Sequence, residues 1–365
     1  MSAGGPELPA PSRGWRRALP RGFRDGALAL AVGLGVLALG LEAAGYDAPA
    51  ALGALWRGAF GSWYALASGT LVRSVPLILI GVGICLAFRG GALNIGAEGQ
   101  FYAGAIAATW IGVHAAGWPG LAAVPALWLG GALAGALWAA VPAWLKLRFG
   151  VLEVISTLLL NFVAEFLVSW MVQGPLQEAK HIYPQSDAIA AAARLPALAG
   201  TRLHLGFALA LAVGLVGWYV LTRTLWGFRL RAAGAGPRAA EVSGRIAVPR
   251  VAAAGLLWSG ALAGLAGAVE IGGVSYALFQ NLSPGYGFTG IAVALLARLD
   301  PLAVLATGAL FGALEAGAGA MQREAAIPAV AVYVVEGVII LVILLAEVAA
   351  RRARRAASGA GLVTG

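Results

Sequence analysis

The sequence predicts an all-α polytopic membrane protein of about ten transmembrane helices, nine clear and one short or broken. Three observations carry this. Of 365 residues, 60% are hydrophobic and only 11% charged, whereas soluble domains carry roughly 25% charged residues. Glycine fills 53 positions and the mean hydropathy is +0.84, a composition that lets apolar helices approach closely. Apolar runs near the roughly 20 residues needed to cross a bilayer recur along the whole chain.

The runs lie at 26–44, 72–88, 91–113, 121–145, 151–172, 203–222, 251–271, 301–320 and 327–347. The first follows Arg13, Arg16, Arg17, Arg21 and Arg24. A signal peptide has this shape, but about 19 apolar residues are enough to span, so a retained first helix is expected. The tenth run, 285–298, begins after Pro284 and is short and glycine-rich.

Lysine and arginine set the orientation. With the N-terminus inside and ten crossings, 19 of the 25 basic residues fall on inner segments. The outside keeps Arg57, Arg73, Lys180, Arg194, Arg202 and Arg323. The positive-inside rule therefore puts both termini in the cytoplasm, with tails at 1–25 and 349–365 and a transmembrane domain at 26–348. The same rule accounts for the net charge of +9 without nucleic acid. Five crossings per half would suit inverted halves, as in many transporters. Two loops stand out. The outer one, 173–202, is expected to carry a short surface helix at 187–194. The inner one, 223–250, is basic and glycine-interrupted, with a short helix near 237–244.

Polar residues inside spans need a partner or a task. Glu98, Glu153, Glu165, Glu270, Glu315 and Glu336 lie in or at the ends of spans. In the fifth span Glu153, Thr157, Asn161, Glu165 and Ser169 follow at intervals of four, a slowly winding stripe about 24 Å long. Such a stripe faces other helices or water; interhelical hydrogen bonding and a solute pathway both fit it. In "GGALNIGAEGQFYAGA", Asn94 and Glu98 are four apart, on one face if the helix is continuous, and Gln100 follows. Gly90, Gly91, Gly96 and Gly99 point to a broken third span. Its polar groups serve either a solute site or the backbone freed at the break. In "NLSPGYGFTGIAVALLARLDP", Pro284, Gly285, Gly287 and Gly290 preclude a regular long helix. Thr289 is a candidate cap, and Tyr286 and Phe288 are candidates to stack on a ring or sugar face. A tightly packed hairpin is the alternative.

No G-x-x-x-x-G-K-[ST], H-E-x-x-H, paired-cysteine or G-x-S-x-G motif occurs. The chain is thus expected to be no enzyme, with no metal site and no cofactor of its own. The lone Cys85 cannot form an intramolecular disulfide.

Four stretches carry a family resemblance: "FRGGALNIGAEGQFYAGA" (88–105), "LEVISTLLLNFVAEFL" (152–167), "RAAGAGPRAAEVSGR" (231–245) and "SPGYGFTGIAVALLARLDP" (283–301). They occur in family order, and the chain over roughly 25–350 resembles permease subunits of bacterial ABC importers for nucleosides and simple sugars, relatives of the ribose and branched-chain amino-acid permeases. LNIGAEGQ resembles the nucleoside-type branch. The resemblance implies a helix in the inner loop that docks on an ATPase subunit. Arg231, Gly234, Pro237, Ala239, Ala240 and Gly244 match the family pattern, whereas Gly236 stands where asparagine is common and Arg245 where isoleucine is common. It also implies ATP consumed by that partner, a second permease subunit in a heterodimer, an extracytoplasmic binding protein, and residence in the bacterial inner membrane. The pathway candidates are Asn94, Glu98, Gln100, Thr157, Asn161, Glu165, Tyr286, Phe288 and Thr289. The competing function is a proton-coupled secondary transporter that uses Glu98, Glu165 or Glu336 as relays.

Overall fold

Six helices among the described residues are long and apolar enough to cross a membrane. The computed structural model describes residues 18–242 and 246–328, and positions 330, 331, 333, 334, 337, 338, 341, 342 and 345. Within these the chain is helical, with two isolated bridges, Gln185 to Phe279 and Ala197 to His204. Gly244, Glu336, residues 1–17 and the tail from 346 lie outside the described residues.

The helices are α1 (Ala18–Ala43), α2 (Ala48–Phe60), α3 (Val72–Arg89), α4 (Ala97–His114), α5 (Gly120–Phe149), α6 (Glu153–Gln173), α7 (Gly206–Arg223), α8 (Leu225–Ala235), α9 (Pro237–Val242), α10 (Val248–Glu270), α11 (Tyr286–Leu296) and α12 (Pro301–Ala325). A π-helical stretch, Ala65–Leu71, leads into α3, and another, Ile271–Ser275, continues α10. Helix starts follow local chemistry. Asp47 caps α2 by accepting from Ala50 N at 2.8 Å, and Thr224 Oγ1 caps α8 by accepting from Gly227 N at 3.1 Å. Asp300 accepts from Leu302 N at 2.9 Å, and Pro301 opens α12. Each satisfies a backbone donor that the first turn leaves unpaired.

Helices α3 and α10 form the centre. The apolar window of the helix ending in α3 is 83% buried, against 28% for α5, α6 and α7. Around them pack α4, α5, α11 and α12. Tight glycine contacts permit this: a Cβ on Gly104 of α4 would lie 2.1 Å from Gly264 O of α10. In lipid, where apolar surface gains little by leaving the solvent, such close packing supplies the cohesion.

Helix α2 was not foreseen, because 13 residues are too few to span. It packs on α12, and Arg57 pairs with Glu324 at 2.8 Å. The expected surface helix at 187–194 shrinks to a 3₁₀ turn, Ala191–Ala193. Its backbone is engaged elsewhere. Ile189 N donates to Tyr276 O, Ala190 N to Gly112 O and Leu195 N to Gly272 O, at 2.8–2.9 Å. The segment thus closes over the ends of α4 and α10, and tertiary pairing overrides the helix propensity of its alanines.

Candidate substrate pathway and coupling segment

The third predicted span is broken, as its glycines suggest, and the break is ordered by polar side chains. Residues 92–96 are non-helical and α4 starts only at Ala97. Asn94 and Glu98 therefore do not share one helical face: Asn94 precedes the helix and Glu98 lies in its first turn. Asn94 Nδ2 donates to Gln100 Oε1 at 2.7 Å and to Ser259 Oγ at 2.9 Å, while its Oδ1 accepts from Gly96 N at 2.9 Å. Asn94 and Gln100 are both buried.

The polar stripe of α6 splits into two parts. Its lower half holds the break. Glu153 pairs with Lys146 at 2.6 Å. Thr157 Oγ1 donates to Glu153 O at 2.7 Å and accepts from Ile95 N at 3.4 Å. Asn161 Oδ1 accepts from Gly99 N at 2.8 Å, and its Nδ2 donates to Ile95 O at 2.9 Å. Backbone groups freed inside a membrane need such partners. The upper half, Glu165 and Ser169, is not packed away. Glu165 is exposed and Ser169 half-buried, and both line a cavity of about 220 Å³ with Tyr102, Phe166, Val168, Gln280 and Asn281.

The second break mirrors the first. After α10 and its π-helical extension, residues 276–285 are irregular and α11 begins at Tyr286 behind Gly285, whose φ is +102°. Ser283 Oγ accepts from Tyr286 N at 2.9 Å and Gly285 N at 3.1 Å. Thr289 is not the cap but lies a turn inside the helix, buried, because Ser283 already serves the free donors. Glu98 accepts from Gly287 N at 2.6 Å. The start of α4 and the start of α11 thus meet at one buried carboxylate, where the partial positive charge of a helix N-terminus favours an anion. The backbones touch here: a Cβ on Gly287 would lie 2.2 Å from Glu98 N. Tyr286 is buried, 5.8 Å from the Phe101 ring, whereas Phe288 is exposed.

The inner loop folds into two helices where one was expected. Helix α9 is the foreseen one; α8 was missed because its two glycines and two arginines hide the apolar face carrying Leu230 and Ala233. Gly234 packs on the end of α3, where a Cβ would lie 2.2 Å from Arg89 O. Arg231 is partly buried. In α9 Ala240 packs inward, while Pro237, Arg238, Ala239, Glu241 and Val242 are exposed. Arg89 donates to Leu299 O at 3.2 Å and Arg298 O at 3.0 Å, fastening α3 to the end of α11.

The family described as "Branched-chain amino acid transport system / permease component" matches residues 66–344. The chain belongs to this family of ABC-transporter permeases. The glucose ABC transporter permease protein TsgB13 of Haloferax volcanii is 36% identical over 91% of this chain and 90% of its own. The guanosine ABC transporter permease protein NupP of Bacillus subtilis is 36% identical over 86% of this chain and 90% of its own. The nucleoside ABC transporter permease protein NupB of Lactococcus lactis subsp. cremoris is 32% identical over 75% of this chain and 78% of its own. No solved structure matches. The relatives are transport subunits rather than enzymes, and nothing found supports the proton-coupled alternative. Membership and the apolar helices together make this permease a multi-pass membrane protein.

Proposed function

We propose that this permease translocates nucleosides or simple sugars inward as one half of an ATP-driven importer. One observation carries the pathway: Glu165, a carboxylate about 18 Å along α6 from Glu153 by helix rise, is exposed on a helix whose other end is sealed by hydrogen bonds. A charge at that depth belongs beside water or a partner, not lipid. The face carrying Glu165 and Ser169 is assigned, with the exposed Phe288, to the pathway, which a second permease subunit closes. Asn94, Glu98, Gln100, Thr157 and Asn161 frame it, and Tyr286 and Thr289 are buried on the same helix as Phe288.

A heterodimer is favoured by the paired names among the relatives, NupP with NupQ and NupB with NupC. An ATPase subunit docks on the exposed side of α9 and hydrolyses the ATP; an extracytoplasmic binding protein delivers the solute. Ten crossings with both termini in the cytoplasm agree with the grouping of residues at the two ends. Arg57, Arg202 and Glu324 lie at one end; Arg89, Lys146, Gly234 and Arg298 lie at the other. Inverted halves agree with the repeated order of long helix, irregular stretch and helix in α3–α4 and α10–α11.

The test is uptake of labelled guanosine and glucose by cells expressing the whole transporter, with an active or an inactivated ATPase. Ala239→Trp, on the exposed side of α9, is expected to abolish uptake and ATPase co-purification while the permease still inserts. Gly234 is unsuited to this test because it is a packing contact. Uptake indifferent to the ATPase refutes the proposal.

A further inference from the structure

The cavity beside Glu165 has an order of donors and acceptors that suits one kind of solute. The Glu165 carboxylate makes no hydrogen bond or ion pair with any described residue, and one helical turn later stands Ser169, on the same face. Ser169 Oγ accepts from Gln173 Nε2 at 2.8 Å and from Gln280 Nε2 at 2.7 Å. Both its lone pairs are engaged, so its hydroxyl hydrogen is left to donate. The site thus offers a carboxylate that only accepts beside a hydroxyl that donates. Phe166, 75% exposed, and Tyr102 supply apolar ring surface at the same cavity.

A phosphate or carboxylate solute is repelled by Glu165, and a cation finds one carboxylate in an otherwise neutral lining. Neighbouring sugar hydroxyls match: each donates to a carboxylate oxygen in a charge-assisted bond, and one accepts from Ser169, while the C–H face of the ring lies on Phe166. Size decides how much of the solute enters. At about 220 Å³ the cavity falls below the roughly 300–1,000 Å³ of sites that enclose whole drug-sized ligands, so it takes one ring. We infer that the Glu165–Ser169 cavity is a sugar-ring subsite of the permease that grips a vicinal diol during passage. This rests on the proposed import function and narrows its substrate class. Ribonucleosides and hexoses share the diol.

The complete transporter is reconstituted and its rate measured with the binding protein saturated by guanosine, 2′,3′-dideoxyguanosine, glucose or 2,3-dideoxyglucose. Saturation removes the binding protein's own affinities from the comparison. Losing a charge-assisted hydrogen bond is worth about tenfold, so Glu165→Gln is expected to slow the diol-bearing solute about tenfold and its deoxy analogue less than about twofold. Gln280→Leu, which frees Ser169 to turn away, is expected to show the same selectivity more weakly. Selective loss with guanosine alone makes the ribose the occupant, with glucose alone the hexose; either supports the subsite. Equal slowing of diol and deoxy solutes, or no slowing of either, overturns it. Absence of ATP-dependent uptake of all four solutes by the unaltered transporter instead overturns the import function.

Discussion

Replacing Asn161 by leucine is expected to loosen the fold without touching the cavity above it. Asn161 satisfies both Gly99 N and Ile95 O, at 2.8 and 2.9 Å, where the irregular stretch 92–96 leads into α4. Leucine leaves two buried backbone groups unpaired, at about 1–3 kcal/mol each, or about 2–6 kcal/mol together. The added apolar surface gives little back, because lipid is as apolar as the protein interior. The assay is built into the chain. Cys85 is the single cysteine and is fully buried, so reaction with a fluorogenic maleimide during heating reports the opening of the core. At about 2 °C per kcal/mol the midpoint of Asn161→Leu is expected to fall by about 4–12 °C. Glu165→Gln, one turn further along α6 and free of protein partners, is the control and is expected to leave the midpoint unchanged. A midpoint for Asn161→Leu equal to that of the unaltered chain, or an equal fall in the control, refutes the division of the stripe into a framing half and an open half.

Three further outcomes can be checked with the same thiol assay. Gly287→Ala places a Cβ against the Glu98 backbone and is expected to expose Cys85 well below the normal midpoint; full tolerance refutes the close meeting of α4 and α11. His204 is 3% exposed, and burial, helped by the charge of Arg202, pushes its pKa from 6.5 down to about 4. The unfolded chain then binds the proton first, so stability is full above pH 6.5 and falls as pH drops toward 4, by about 3 kcal/mol. His204→Phe is expected to flatten that part of the pH profile, and an unchanged slope refutes the assignment. Lys146→Met strands the buried Glu153 carboxylate and is expected to cost about 1–3 kcal/mol. Most of that is expected to return in the double variant with Glu153→Gln, and an additive double variant refutes the coupling.

Glycine density and polar spacing made the breaks legible in the sequence. LNIGAEGQ and SPGYG stood out because polar and helix-weakening residues interrupt apolar runs, and both proved to be helix starts. The roles within them were less legible. Spacing four put Asn94 and Glu98 on one face only if the helix continued, and whether it continues depends on Thr157 and Asn161 of α6, more than 50 residues away. Thr289 matched a cap by type, but Ser283 reached the free N–H groups first. Tyr102, Gln280 and Asn281 carried no signal, since a lone amide or tyrosine near a span end is ordinary interfacial chemistry. The packing of α4 on α6 brings Tyr102 to Glu165, and the fold of 276–285 brings Gln280 and Asn281. Helix α2 was hidden by its length, and the fold of 187–195 by its alanines, whose local preference loses to backbone pairing with the ends of α4 and α10.

The two breaks also suggest how a movement at α9 reaches the pathway. Helix α8 rests on the end of α3 through Gly234 and Arg89, and Arg89 grips the carbonyls that close α11. The opposite end of α11 is held by Glu98 at the start of α4, and Phe288 stands one residue beyond that contact. A displacement of α8 and α9 therefore has a continuous path of packing contacts and side-chain-to-backbone hydrogen bonds to the proposed pathway face. Contiguity alone does not demonstrate coupling, and Arg89→Ala separates the two. Arg89 is exposed and its bonds go to two carbonyls near solvent, so the Cys85 midpoint is expected to shift by no more than the equivalent of about 1 kcal/mol. If α11 is driven through Arg89, ATP hydrolysis continues in the reconstituted transporter while solute moved per ATP falls severalfold. If hydrolysis and transport fall together, Arg89 acts on ATPase docking. If neither falls, α11 receives its movement from another contact, and the path through Arg89 is wrong.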